Sequence, residues 1–312
     1  FVGYYRSNHV LAHFHEWMTG MGVLYLQKNA SHIGTAFTTH ATVVGRSIAG
    51  NGMPLYTKMA DYNGDEMAAN LGVKAKHSLE KTAAQTANCF TTVSEITGKE
   101  CAQFLDKYPD VITPNGFEPT LVPNAEDLAG IREESGEKLV ALANAISGQI
   151  HQREDYILVG TGGRYEFQNK GLDVFIKALG LLNKGEKLNK KVLAFILVPA
   201  NHYGPRKSVL SRLKGQPDEL VGSLYLSHNL HDVQDDPIIN LLIEEGISNQ
   251  KTDQVQVYFV PSYLNGDDGI LNLTYYQALM GLDLTVFPSY YEPWGYTPLE
   301  SLAFGVPTIT SN

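Results

Sequence analysis

Two glutamates, Glu292 and Glu300, stand with seven residues between them in a segment that reads SYYEPWGYTPLE over residues 289–300. Ahead of them runs the apolar stretch Leu282 to Phe287, patterned as a buried parallel strand. Behind them a helix is expected from Pro298 to Phe304, ended by Gly305, with Pro307 two residues beyond. Strand, short loop and helix N-terminus place backbone N–H groups at the carboxyl edge of a parallel sheet, where α/β proteins bind phosphorylated ligands. One carboxylate falls in the loop and the other about one turn into the helix, so both can face one crevice. Gly295, Tyr296 and Thr297 would present N–H groups, and Thr297 its hydroxyl, to a pyrophosphate. Pro298 suits a first helical turn, where its missing N–H costs nothing. Trp294 can pack on a sugar or nucleobase, or simply fill the core.

A second group of chemistry-bearing residues follows another apolar run, Tyr156 to Gly160, in a turn reading GTGGRYEFQNKG over residues 160–171. Glycines directly after a strand let a ligand approach backbone N–H groups. Lys170 is not followed by Ser or Thr and the spacing is wrong, which excludes a Walker loop. Arg164 and Lys170 instead offer two cations on one loop that can neutralise a diphosphate, one as a planar fork and one as a point charge. A solvated loop is the plain alternative. His13 and His15 end the strand that starts at Val10, and alternate strand residues share a face, so a metal pair is open to them. No third ligand stands at a suitable spacing and no metal is expected; a histidine satisfied in the core is the ordinary alternative. Thr39, His40 and Thr42 close another strand, as cleft lining or as a helix cap. Ser94 is a candidate cap for a helix over Glu95 to Leu105, and Asn115 sits in the turn Pro114 to Gly116.

The elements that must position these groups form two βα series, so parallel sheets are expected. Strands are read at Val10–Phe14, Ile33–Thr38, Cys89–Val93 and Val111–Ile112, then at Tyr156–Gly160, Val192–Val198, Val255–Val260 and Leu284–Phe287. Residues 118–154 are charged, helical and poor in strands, as a linker or crossover between the sheets. Residues 201–253 form a less regular excursion with helices, covering part of the second domain. The 312 residues supply ample core for two domains. A net charge of −9 makes a nucleic-acid backbone an unsuitable partner. Cys89 and Cys101, with no CxxC or Cys/His cluster, are read as buried free thiols in a reducing compartment. No apolar run reaches the roughly 18–20 residues of a membrane helix and no signal-peptide pattern is present, so a cytoplasmic setting is expected. The chain opens on Phe1 and stops on a strand entering a loop, as an internal fragment of a longer protein would.

The segment around Glu292 resembles the glycogen synthase family of the eukaryotic type (glycosyltransferase family 3), which some bacteria also carry; the chain is expected to be a bacterial member. The strings at 14–17, 37–42, 91–95, 163–171, 227–230 and 259–265 are similar to the family too. The resemblance implies a GT-B fold, α/β with two facing Rossmann-like domains, truncated here at both ends. Residues 1–117 would be part of the N-terminal, acceptor-side domain, 118–154 the linker, and 155–312 the nucleotide-sugar domain. It implies a retaining transferase that moves glucose from UDP-glucose to the non-reducing end of an α-1,4-glucan, with no cofactor beyond the donor. By the same resemblance, Arg164 and Lys170 hold the donor phosphates and the departing nucleoside diphosphate, His15 lines the catalytic cleft beside the donor sugar, and His13 is structural. Asn115 is a candidate for donor contact, and Glu300 accepts hydrogen bonds from the ribose. Glu292 faces the reacting sugar, where electrostatic stabilisation and positioning are favoured over a nucleophilic role. The resemblance leaves a homo-oligomer of the full-length protein open, but the excursion near 201–226 is shorter than the helical insertion of eukaryotic members, so their oligomer contacts are not carried over here. Two other readings stand beside this one: another retaining GT-B glucosyltransferase of the starch or sucrose synthase type, and a nucleotide- or glucan-binding fragment without turnover.

Overall fold

The computed structural model describes residues 9–216 and 222–311. The chain divides into two compact units, the first comprising Phe1–Phe117 and Tyr291–Trp294, the second Glu118–Tyr290 and Gly295–Asn312.

In the first unit, strands β1 (Leu11–His15), β2 (Gly34–Thr39), β3 (Cys89–Thr92) and β4 (Val111–Ile112) lie side by side in chain order, every pair parallel. They are joined by helices α1 (Glu16–Asn29), α2 (Val43–Gly50), α3 (Leu55–Lys58), α4 (Gly64–Asn70), α5 (Lys74–Thr86) and α6 (Glu95–Leu105). β2 and β3 are buried almost without a break, as strands covered on both faces must be, whereas β1 alternates between exposed and half-buried residues. Their inward side chains Phe37 and Phe90 stack with ring centroids 6.0 Å apart, against Val23, Ala83, Ala84 and Cys101. Cys101 is buried as expected, but Cys89, at the start of β3, is only half-buried; both are free thiols. Helices α2, α4 and α6 start where short polar side chains accept orphan N–H groups, Thr42 from Gly45, Asn63 from Asp65 and Glu66, and Ser94 from Thr97.

Two carboxylates of this unit, Glu80 on α5 and Glu100 on α6, are completely buried. Glu80 accepts the Thr39 hydroxyl and, at 3.0 Å, the Val43 N–H, and so ties α5 to the turn between β2 and α2. Burial pushes it up to about 8, against the opposing pull of these two hydrogen bonds.

In the second unit, α7 (Ala125–Ser147) leads into β5 (Tyr156–Gly162), α8 (Leu172–Lys184), β6 (Lys191–Leu197), β7 (His202–Pro205), α9 (Lys207–Leu213), β8 (His228–Leu230) and α10 (Pro237–Glu244). Then come β9 (Val255–Val260), α11 (Tyr275–Met280), β10 (Leu284–Phe287), α12 (Tyr296–Ala303) and β11 (Thr308–Thr310). The five-stranded parallel sheet has the order β11-β10-β5-β6-β9, so β5 is central. The chain winds outward from β5 to β9 and then returns to lay β10 on the other side of β5. The switch point of the sheet therefore falls between β5 and β10, and ligands of open α/β sheets bind outside the strand ends at such a point. Asp283 sets the pairing there: its carboxylate accepts the Leu158 N–H at 2.8 Å and the Arg153 guanidinium at 2.6 Å, just before β10 begins.

Other parts of the structure also differ from the sequence reading. Residues 118–154 are not only a connection: Leu139, Leu142, Ala143 and Ile146 of α7 pack with Leu158, Leu193 and Phe195 in the core of the second unit. Gly136 of α7 and Gly281 lie so close that a Cβ on Gly281 would stand 2.8 Å from the Gly136 nitrogen. The excursion after β6 holds helices as read, α9 and α10, the latter capped by Asp236 with Pro237 at its first position, but adds the antiparallel pair β7–β8. Helix α12 starts at Tyr296, two residues before Pro298, because Gly295 adopts a left-handed conformation (φ 89°) that turns the chain into the helix early.

The Glu80 carboxyl is raised in the folded state, so its contribution to stability is complete below the ordinary value of 4.5 and is lost as pH rises through about 8. Replacing Glu80→Gln keeps an acceptor for Val43 and a donor toward Thr39 without a charge. The variant is expected to gain thermal stability over the wild type at a pH of about 8 and little at about 5. Equal shifts at both pH values in a thermal unfolding series would show that Glu80 is not the source.

Candidate active site

The site residues expected in the second unit lie on two loops that leave the sheet beside its switch point. The first runs from β5 to α8. Gly163 (φ 139°) turns the chain outward, and the aliphatic part of Lys170 passes alongside it, 3.7 Å from where a Cβ would stand. Arg164, largely exposed, pairs through Nε with Glu166 at 3.1 Å. The other oxygen of Glu166 accepts the Asn169 amide at 3.0 Å. N–H groups of Lys170, Gly171 and Leu172 close onto the carbonyls of Glu166, Gln168 and Phe167 at 2.8–3.1 Å, so the loop is a wound, internally bonded turn. Both cations therefore project from a braced backbone.

The second loop runs from β10 to α12, and backbone contacts join it to the first. The Tyr290 N–H donates to the Asn169 carbonyl at 2.9 Å. Gly171, the left-handed cap of α8 (φ 63°), lies under the Pro288 carbonyl, with which any Cβ at this position would collide. Gly295, Tyr296 and Thr297 then open α12, whose N-terminal end favours negative charge. Its other end is fixed by Arg132, which donates to the carbonyls of Phe304 and Gly305 at 3.2 and 3.1 Å. Glu300, half-buried one turn into the helix, accepts the Tyr276 hydroxyl at 2.8 Å. Burial raises this carboxyl above its ordinary value and the tyrosine bond opposes the rise.

In the first unit, His15 ends β1 and its ring lies between two others, with centroids 4.1 Å from His13 and 5.3 Å from His40. His15 Nδ1 is 3.0 Å from His40 Nε2, and burial together with the two neighbouring imidazoles lowers its pKa, which favours the neutral ring. His13 is bonded to the Thr38 hydroxyl at 2.7 Å, and Thr38 to Thr91 at 2.6 Å, the structural role expected for it. The residue after His15, Glu16, has φ 65°, a strained conformation for a non-glycine residue, held by the His40 N–H donating to its carboxylate at 3.1 Å. No group of three or more His, Cys, Asp or Glu side chains able to hold a metal occurs among the described residues. Glu292 and Trp294 are half-buried in the turn counted with this unit. The Trp294 indole N–H is buried with no hydrogen-bond partner. Asn115 is half-buried in the loop after β4.

Several residues that shape these groups carry no signal in the sequence. Glu166 braces Arg164, and Tyr276 holds Glu300. Tyr275 puts its hydroxyl, buried and unpartnered, against Gly162 at the end of β5. Only the strand register, with His15 opposite Thr38, brings His40 to His15.

Substituting Gly171→Ala should force the two second-unit loops apart, since both the left-handed φ and the Pro288 carbonyl exclude a Cβ. A loss of roughly 1–3 kcal/mol of stability is expected, together with weaker nucleoside diphosphate binding in calorimetric titration. Unchanged affinity in a folded variant would show that the loop junction does not shape the site.

The family model described as glycogen synthase matches residues 2–217 and 218–312 of the chain. The glycogen [starch] synthase of Caenorhabditis elegans is 34% identical over 97% of this chain and 53% of its own length. Isoform 1 of the Saccharomyces cerevisiae enzyme is 31% identical over 98% of this chain and 52% of its own. The chain thus spans about half the length of these relatives. Among solved structures, the catalytic domain of starch synthase IV from Arabidopsis thaliana, bound to ADP and acarbose, aligns with a TM-score of 0.51 at 17% identity, over 96% of this chain and 56% of that one. This likeness shows the fold, an α/β architecture with parallel sheets of the GT-B type. On the family match and these identities, the chain belongs to the glycogen synthase family.

Proposed function

We propose that the protein containing this chain is a retaining glucosyltransferase that extends the non-reducing ends of an α-1,4-glucan with glucose from UDP-glucose. The observation that carries the reading is the junction of the two second-unit loops at the switch point of the sheet. It sets Arg164 and Lys170 on one loop and the start of α12 on the other, tied by the Tyr290–Asn169 bond and the Gly171–Pro288 contact. Two cations and a helix N-terminus together suit a diphosphate. Membership of the glycogen synthase family and the starch synthase neighbour's bound ADP and acarbose support the same donor and acceptor classes.

In this reading Arg164 and Lys170 neutralise the diphosphate and stabilise it as it leaves. The N–H groups of Gly295, Tyr296 and Thr297 add to that field, and Glu300 accepts from the ribose hydroxyls. The ion pair of Arg164 with Glu166 must exchange for the phosphate, and Glu166 then keeps its bond to Asn169. Glu292 stabilises the positive charge that develops on the reacting sugar and orients it, and the departing phosphate takes the acceptor proton. His15, held neutral, lines the sugar site, and Asn115 and Trp294 contact the donor. No cofactor or metal takes part. No helix among the described residues is long and apolar enough to cross a membrane.

Calorimetric titration with UDP-glucose, followed by ADP-glucose in competition, tests the donor. Saturable binding with preference for the uridine nucleotide is expected, and the reverse preference would assign a starch-synthase type of donor. In the full-length protein Glu292→Ala should lower turnover by about two orders of magnitude or more while donor affinity changes little. Unchanged turnover would remove Glu292 from the chemistry.

A further inference from the structure

Glu100 is a buried carboxylate for which the chemistry above has no use. It projects from α6 and is fully inaccessible to solvent. Three hydroxyls donate to it: Thr42 at 2.6 Å and Tyr291 at 3.0 Å to one oxygen, Tyr56 at 3.1 Å to the other. Gly45 leaves room for the group, since a Cβ there would overlap the oxygen that receives Thr42 and Tyr291. Burial drives the Glu100 carboxyl up to about 7, and the hydroxyl donors pull it back. A buried acid with such a shift is a costly group for a fold to keep, and a well-packed apolar side chain would be cheaper unless its hydroxyl partners need it.

The Tyr291 hydroxyl is the partner that gives Glu100 a purpose. The Tyr291 side chain is 3% exposed and packs with Ala41, Val44, Ile48 and Phe104 of the first unit, while the Arg46 guanidinium stands 5.9 Å over its ring. The next residue in the chain is Glu292, whose charge is felt at the Tyr56 hydroxyl, a second donor to Glu100. The phenol ring thus sits in an apolar socket, and its hydroxyl is fixed at the bottom of that socket by one buried oxygen. Ring packing alone allows the side chain to slide along its axis; the hydrogen bond removes that freedom and with it the freedom of the backbone at Glu292. Displacement of a reacting group by about 1 Å costs on the order of a hundredfold in rate, and such a group is only as well placed as the residues that support it.

We propose that Glu100 is a positioning residue for Glu292, acting through the Tyr291 hydroxyl. The inference rests on the reading of Glu292 as the carboxylate that faces the reacting sugar. Neither Glu100 nor Tyr291 touches the substrate in this account.

The test uses the full-length protein with UDP-glucose and a glucan primer. Tyr291→Phe removes one oxygen and keeps the ring in its socket. It should lower kcat by roughly 10- to 100-fold, within the range expected for a misplaced group, and leave the donor KM and the calorimetric Kd for UDP unchanged within about twofold. Glu100→Leu, which removes both acceptor oxygens, should give the same split, and the double variant should be no slower than the worse single one, because both act through one bond. Wild-type kcat in Tyr291→Phe, or a loss that appears as raised KM with kcat intact, overturns the proposal. So does a lowered melting temperature with both constants unchanged, which is the result of a merely structural bond. Should Glu100→Leu fail to fold, Tyr291→Phe decides alone. A wild-type protein that transfers no glucose overturns the functional reading and this inference with it, whereas an active wild type with an unaffected Tyr291→Phe overturns only the inference.

Discussion

The contact between Gly171 and the Pro288 carbonyl is the constraint on which the second unit's site depends. At this point the loop after β5 and the loop after β10 are pressed together backbone to backbone, with no side chain between them. The groups proposed to meet a diphosphate in this unit are referenced to it. Arg164 and Lys170 extend from one side, braced by Glu166, and α12 begins on the other, with its far end held by Arg132. A phosphate site built from two loops needs their separation fixed more closely than side chains can fix it, and a glycine against a carbonyl does so by steric exclusion.

The first unit solves the corresponding problem with buried polar bonds. Glu80 fixes the turn after β2, where His40 reaches back to His15, and Glu100 receives three hydroxyls around the anchor of Tyr291. Buried groups of this kind rigidify when every partner is satisfied and are expensive otherwise. The strained backbone of Glu16 belongs to the same economy of form, because its carboxylate is held by the His40 N–H beside the histidine pair.

Much of this was legible in the chain. Strand β6 is apolar from Val192 onward and β9 is broken only by Gln256, and α6 starts at a serine that does cap it, so propensity, pattern and capping agree there. The string around Glu292 and the glycine-rich turn after β5 marked both loops. What could not be read is tertiary. The acidic first half of α7 hides that its second half is core. The early start of α12 depends on the conformation of Gly295, which composition does not specify. Glu80 and Glu100 look like ordinary solvated helix glutamates, and only the packing of α5 and α6 against the β2–α2 turn makes them interior. Gly171 was visible as a glycine, but not the carbonyl 117 residues later that requires it.

The position of β10 beside β5 has a consequence in time as well as in space. Asp283 bonds to Leu158 across 125 residues of chain, and no nearer segment occupies that edge of the central strand. In the first unit each strand lies against its predecessor in the sequence, so its sheet can grow as the chain emerges from the ribosome. In the second, β5 and β6 exist as a partial sheet with one bare edge until residues 284–287 arrive. That edge is a template for wrong pairing, between chains as well as within one. The two loops proposed to hold a diphosphate meet only across this late seam, so they come together only after β5, β6 and β9 have been synthesised.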